Sequence, residues 1–266
     1  MAGIKATVVK LPTVQSEPLD DLAEHSMLWY GREKIGKTSL AAMFPNAIFL
    51  MCEPGGKGLT IFKVDISDWY SFKGAVAALK NDKRYRTVVV DTVDKAYDFC
   101  QDAVCTQLAI DHPSDEEWGK GWGRVKSEFS ETMTALLQCG KGVIFTSHAV
   151  EREIKRRGGN NTTRVMPTMA AGARAVIEPM VDIWAYMAYD ADGTREMMIR
   201  GDDVIAAGHR LRKRFIGIDK IPMGKSPEQG YKNFMVAWNT TPTGATVGKE
   251  GASAVPGPRK MVLKRK

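Results

Sequence analysis

Residues 27–44 read Met-Leu-Trp-Tyr-Gly-Arg-Glu-Lys-Ile-Gly-Lys-Thr-Ser-Leu-Ala-Ala-Met-Phe. An apolar strand, Met27–Tyr30, runs into Gly31, Arg32, Glu33, Lys34, Ile35, Gly36, Lys37 and Thr38, which together fit the pattern GxxxxGK[ST]. Ser39 and the apolar residues behind it open a helix. Each part of the pattern has a physical reason. The glycines let backbone N–H groups wrap a β-phosphate, the Lys37 ammonium reaches the β- and γ-phosphates, and the Thr38 hydroxyl is placed to bind Mg²⁺. The stretch from Gly31 to Ser39 is therefore the expected binding site for ATP, with Mg²⁺ as its metal. The competing reading is a fortuitous glycine-rich turn.

Outward from this stretch, short apolar runs alternate with segments of helical period. The runs Met27–Tyr30, Ala47–Met51, Thr87–Val90, Gly142–Thr146 and Val181–Ala188 are almost continuously hydrophobic, as strands buried on both faces are. Trp69, Phe72, Val76 and Leu79 recur at helical spacing, as do Trp122, Val125, Phe129, Met133 and Leu136. Strands alternating with helices predict an α/β fold whose central sheet is mostly parallel and flanked by helices. After Val181 the pattern predicts close-set strands, Glu196–Arg200, Arg214–Ile218 and Phe234–Trp238, forming an antiparallel extension at the C-terminal edge. Ser226-Pro227-Glu228 reads as an N-cap with proline at the first helical position.

Three further strand ends carry chemistry. Thr87-Val-Val-Val-Asp91 is an apolar strand ending in a carboxylate, the arrangement that holds Mg²⁺ in phosphate-loop enzymes; alternatively Asp91 caps the next helix. Thr92, and not a glutamate, follows Asp91, so the water-activating group must come from elsewhere. Glu53, just beyond Ala47–Met51, is the candidate, since the carboxyl ends of parallel strands border the ligand crevice. The other reading is a loop glutamate in Glu-Pro-Gly-Gly. The strand GVIFTS ends at Ser147 and His148, where a polar side chain can sense the γ-phosphate. There follows a glycine- and asparagine-rich loop with five cations, Arg152, Lys155, Arg156, Arg157 and Arg164. It is either a grip for a nucleic-acid backbone or a solvated hairpin.

This order of parts resembles the RecA-like recombinase core. It is most similar to the compact, phage-encoded RecA-like P-loop ATPases of AAA type that are linked to single-strand annealing and recombination. The resemblance is carried by GREKIGKT (31–38), FLMCEPG (49–55), GKGWG (119–123) and TSHAVERE (146–153), and spans about residues 24 to 238. It implies that Lys37 and Thr38 bind ATP and Mg²⁺, that Asp91 supports the metal, and that Glu53, with Lys37 and His148, carries catalysis. His148 departs from the Gln or Asn common at that strand end. The implied activity is a DNA-stimulated ATPase in recombination, annealing or repair. Its expected partners are single-stranded DNA, further copies of the chain in a filament or ring, and a single-strand DNA-binding protein, with no membrane. A nucleotide or small-molecule kinase, and a nucleotide-switched DNA-coating protein, are the alternatives.

The 266 residues carry a formal charge of +7. From Asn239 onward six cations face one anion, so five of the seven net charges lie in a segment rich in Gly, Pro and Thr, which reads as a flexible basic tail. The expected organisation is an N-terminal arm (1–23), a core (24–238) and the tail (239–266). The four cysteines form no CxxC pair and read as buried thiols. With no long apolar run at the N-terminus, a cytoplasmic location is expected, in the bacterial host if the chain is phage-encoded. Trp118 and Trp122 are expected either at a subunit contact or buried against their own domain.

Overall fold

The computed structural model describes residues 10–154 and 161–240. Its elements in chain order are β1 (Ser26–Gly31), α1 (Lys37–Ala41), β2 (Ala47–Met51), β3 (Phe62–Asp65), α2 (Trp69–Asn81), β4 (Thr87–Asp91), α3 (Val93–Leu108) and α4 (Lys120–Leu137). They continue with β5 (Gly142–Ser147), β6 (Ala149–Ile154), β7 (Thr162–Pro167), α5 (Ala171–Met180), β8 (Ile183–Tyr189), β9 (Arg195–Met198), β10 (Gly208–His209), β11 (Lys220–Gly224) and α6 (Pro227–Asn239). Nine strands form one sheet in the order β11-β9-β8-β1-β5-β4-β2-β3, with β10 also on β8. From β8 to β3 every neighbouring pair is parallel, while β9, β10 and β11 join antiparallel.

The continuous apolar runs follow from burial on both faces. In β1, Leu28 packs on one side of the sheet with Leu50, Val88, Val90 and Phe145, under α2 to α5. Met27 and Trp29 point to the other side with Phe49, Val89 and Ile144, under α1 and α6. The two cores are separated by nothing but the sheet, so its strands cannot shift by one residue without exchanging them. All four cysteines are free and buried, three of them (Cys52, Cys100 and Cys139) in the first of these cores, and burial raises each thiol pKa.

The C-terminal edge departs from the pattern read in the sequence. Phe234–Trp238 is not a strand; it belongs to α6, capped by Ser226 with Pro227 at the first turn. A strand would bury residues 234, 236 and 238 together. Instead Gly230, Phe234, Ala237 and Trp238 are buried and Val236 is 62% exposed, the periodicity of a helix. Arg214–Ile218 is a turn with Phe215 at φ 53° and Gly217 at φ 71°. It inserts Phe215 edge-on against Phe234 and Trp238. The antiparallel extension is real but is made by β9, β10 and β11.

Two of the cations in His209–Arg214 are structural: Arg210 donates to the Pro179 and Val181 carbonyls, and the Arg214 guanidinium lies 4.7 Å from the centre of the Trp238 ring. Trp118 is 92% exposed and so is not buried in its own domain; Trp122 is partly covered, donating to the Ser114 hydroxyl at 3.1 Å. Among the described residues no helix is long and apolar enough to cross a membrane.

Candidate nucleotide site

The parallel strands β1, β5, β4 and β2 all end on the same side of the sheet, and the turns leaving them build the site. Gly31 closes β1, where a Cβ would stand 2.5 Å from the Met187 carbonyl oxygen, so only glycine fits there. The loop then bends through Lys34 (φ 59°) and Gly36 (φ 107°) into α1. Left-handed residues interspersed in a turn are the backbone pattern from which anion-binding concavities of N–H groups are made. Arg32, Glu33 and Lys34 have exposed side chains, Ile35 is buried in the core, and Ser39 and Gly36 are partly covered.

Lys37 is buried, and its ammonium donates to the Gly31 and Arg32 carbonyls at 2.8 and 3.1 Å. Burial lowers its pKa, opposed by the charges of Asp91, Asp94, Glu53 and Glu33. The ammonium thus lies folded on the loop it would leave to meet an anionic phosphate. At the next residue, the Thr38 hydroxyl donates to Asp91 Oδ2 at 2.7 Å. Asp91 Oδ1 accepts from Thr146 on β5 at 2.6 Å, so three elements fix the carboxylate. The following peptide bond, Asp91–Thr92, is cis. Thr92, and not Asp91, is the N-cap of α3, accepting from the Lys95 amide. Asp91 is therefore not used as a helix cap. A hydroxyl and a carboxylate are hard oxygen donors, and Mg²⁺ is characteristically held by one or two carboxylates together with substrate phosphates. Thr38 and Asp91 fit that ion.

Glu53 stands on the turn after β2. It accepts from the Thr92 hydroxyl at 2.7 Å and lies 3.5 Å from His148 Nε2. The His148 hydrogen bond, then that of Thr92, keeps the Glu53 carboxyl below its ordinary value against the opposing effect of burial. The same hydrogen bond holds the His148 imidazole above its ordinary value, against burial and the Lys37 charge. A cleft of about 240 Å³ is lined by Lys37, Thr38, Glu53, Asp91, Thr92 and His148, among others. The residues singled out on four separate strand ends thus converge.

Beyond His148 the chain forms the β6–β7 hairpin, a separate two-stranded sheet in which Arg152 pairs directly with Arg164. Lys155, Arg156 and Arg157 lie outside the described residues, as does the chain from residue 241 onward. The hairpin is rooted beside the site. The Thr168 amide donates to the His148 carbonyl at 3.0 Å, and the Thr168 hydroxyl donates to Asp94 at 2.6 Å. Ser147 donates to the same carboxylate oxygen at 3.1 Å. Burial raises the pKa of Asp94, opposed by these two hydroxyls.

Sequence reasoning missed Asp94, Thr92, Thr146 and Thr168. Thr146 and Thr92 had a visible signal, polar residues at the ends of otherwise apolar strands; Asp94 and Thr168 had none. The segment Gly119–Gly123 lies outside the cleft. It opens α4, where a Cβ on Gly121 would stand 2.2 Å from the Pro113 carbonyl oxygen.

A phosphate loop on a mostly parallel sheet, with a carboxylate held against the loop threonine from a neighbouring strand, defines a P-loop NTPase-type domain. Residues 23–211 match the family described as AAA domain, and the chain belongs to it. The chain is also 27% identical over 202 residues to the SPbeta prophage-derived uncharacterized protein YorG of Bacillus subtilis (strain 168), a match covering 71% of this chain. It spans 59% of that relative's length. Among solved structures, a KaiC-like protein from the archaeon Pyrococcus horikoshii OT3 matches with 13% identity and a TM-score of 0.44, over 77% of this chain and 87% of that one.

Proposed function

We propose that this chain hydrolyses ATP at the Gly31–Ser39 loop and couples it to single-stranded DNA held by the hairpin after His148, in recombination, annealing or repair of phage type. The observation that carries the ATPase reading is the 2.7 Å hydrogen bond from Thr38 to Asp91, with Lys37 and Glu53 lining the same cleft. The Lys37 ammonium binds the β- and γ-phosphates, and Mg²⁺ when bound, held at Thr38 and Asp91, offsets their negative charge. Glu53 takes a proton from a water whose oxygen bonds to the γ-phosphorus, while the bond to the β–γ bridging oxygen breaks and ADP leaves with that oxygen. His148, hydrogen-bonded to Glu53 and continuous with β6, reports loss of the γ-phosphate to the hairpin.

The DNA reading is supported by charge placement. Like charges directly opposite each other on paired strands are destabilising, and Arg152 faces Arg164 across the ladder, an arrangement that an intervening phosphate would relieve. The prophage relative supports the phage association. Further copies of the chain and a single-strand DNA-binding protein are the partners this reading calls for.

The test is ATP turnover with and without single-stranded DNA, together with DNA binding at rising salt. The reading requires DNA to raise turnover, and Arg152→Ala with Arg164→Ala to weaken binding and flatten its salt dependence by about two phosphate contacts. Unchanged turnover with no DNA binding at low salt would sink the DNA half. Phosphorylation of a nucleoside acceptor would favour a kinase instead.

A further inference from the structure

Asp91, Glu53 and His148 all stand on the β5–β4–β2 side of β1. On the other side Arg195 lies against the phosphate loop. Arg195 opens β9, and its guanidinium reaches back across the sheet end until Nη1 lies 2.7 Å from where a Cβ on Gly36 would be. Gly36 is glycine for its φ of 107°, and the absent Cβ leaves room for the guanidinium to lie against the loop. The Arg195 Nε donates to the Gly224 carbonyl at 3.3 Å, and among the described residues no carboxylate forms an ion pair with it. A guanidinium is always charged and presents five donors in a rigid fork. Here one arm of that fork, Nη1, lies against a loop whose lysine and amides suit an anion.

The strand register fixes the face of the sheet from which this cation projects. Arg195 pairs with Tyr189 across β8 and β9, and directly opposite residues project from the same face. It is the face on which Ile183, Ala185 and Met187 join the core under α1, and Tyr189 ends that row partly exposed. The reacting γ-phosphate belongs on the other side of β1, with Glu53 and Asp91. A nucleotide spanning the loop then places its ribose and α-phosphate toward β9.

We propose that Arg195 is a nucleotide-binding residue supplied by the same chain, donating to the α-phosphate and ribose end of ATP. The inference rests on the reading that ATP occupies the Gly31–Ser39 loop. It is distinct from any role in cleaving the γ-phosphate, so it applies equally to ATP and ADP.

The experiment measures ATP and ADP affinity, and turnover at saturating ATP, for the full chain and for Arg195→Ala, Arg195→Lys and Lys37→Ala. Loss of a charge-assisted hydrogen bond should weaken Arg195→Ala about tenfold for ATP and for ADP alike, with saturated turnover within about twofold. Arg195→Lys should recover part of the affinity, since it keeps the charge but not the fork. Wild-type affinity in Arg195→Ala beside lost affinity in Lys37→Ala would overturn the inference and leave the ATP reading standing. Wild-type affinity in both would overturn the two together. A loss confined to ATP, with reduced turnover, would place the guanidinium at the γ-phosphate and overturn the proposal. Should Arg195→Ala lose the native circular-dichroism spectrum, Arg195→Gln, which keeps a donor and most of the stem, decides by the same measurements.

Discussion

The two flanks of β1 are built from different materials. On the β5–β4–β2 flank the strands are parallel and each ends in a polar group committed to another: Thr38 and Thr146 to Asp91, Thr92 and His148 to Glu53, Ser147 and Thr168 to Asp94. On the β8–β9–β11 flank the strands turn antiparallel, and the contacts to α6 are aromatic, with Phe234 packed against Trp29, Phe44 and Phe215. The first flank gathers the polar groups of the cleft at its strand ends, and the second carries the aromatic packing of α6. Substitutions at those polar strand ends should therefore change chemistry with little loss of stability, and those at the aromatic contacts should do the reverse.

The largest effect expected is on the polar flank. Lys37→Ala should lower turnover by about three orders of magnitude, since the ammonium is the main protein cation aimed at the phosphates, while its thermal midpoint stays near that of the wild type. A folded variant that turns over normally would break the comparison at once. Next comes the aromatic flank. Phe234→Ala removes a fully buried ring and should cost about 3–5 kcal/mol, read as a fall of roughly 10 °C in thermal midpoint, with turnover of the folded fraction retained. A normal midpoint with poor turnover would reverse the assignment of the two flanks.

A smaller effect is expected at the hairpin root. Thr168→Val keeps the shape but removes the donor to Asp94, leaving a partly buried carboxylate with one hydroxyl fewer; about 1 kcal/mol of stability should be lost. In Asp94→Asn the neutral amide should restore much of that loss when combined with Thr168→Val, because burial already disfavours the Asp94 charge. Chemical denaturation of the single and double variants checks both.

The smallest effect concerns pH. The Glu53 carboxyl is held below its ordinary 4.5, so its contribution to stability is present above that value and is lost as pH falls through the folded pKa. The His148 imidazole is held above its ordinary 6.5, so its contribution is full below that value and is lost as pH rises through the folded pKa. The stability difference between wild type and His148→Ala should thus be widest between about pH 4.5 and 6.5 and narrow on either side. A difference independent of pH would show that the two groups do not interact. Turnover should follow suit: without the His148 donor, the acid limb of the rate profile moves to higher pH.

The contrast between flanks also governed what the sequence could reveal. Parallel strands buried on both faces leave continuous apolar runs, and Ala47–Met51 was readable to the residue. The motif Gly31–Thr38 and the polar ends at Asp91, Glu53 and His148 were legible because each sits at a fixed place on such a strand. At the antiparallel edge, Phe234–Trp238 is rich in residues that suit strands, yet the cap at Ser226 and Pro227 decides for a helix. Arg214–Ile218 fails likewise, because burying Phe215 requires a left-handed residue that no local pattern announces. Asp94 and Thr168 were invisible for a third reason. They are 74 residues apart, and only the folded chain joins them.

The most direct test is Glu53→Gln, an isosteric change that keeps the Thr92 contact and removes the base. ATP binding by isothermal titration should be within about twofold of wild type, while turnover falls by about two to four orders of magnitude. Turnover at the wild-type rate with intact ATP binding would contradict the assignment of Glu53 as the group that activates water.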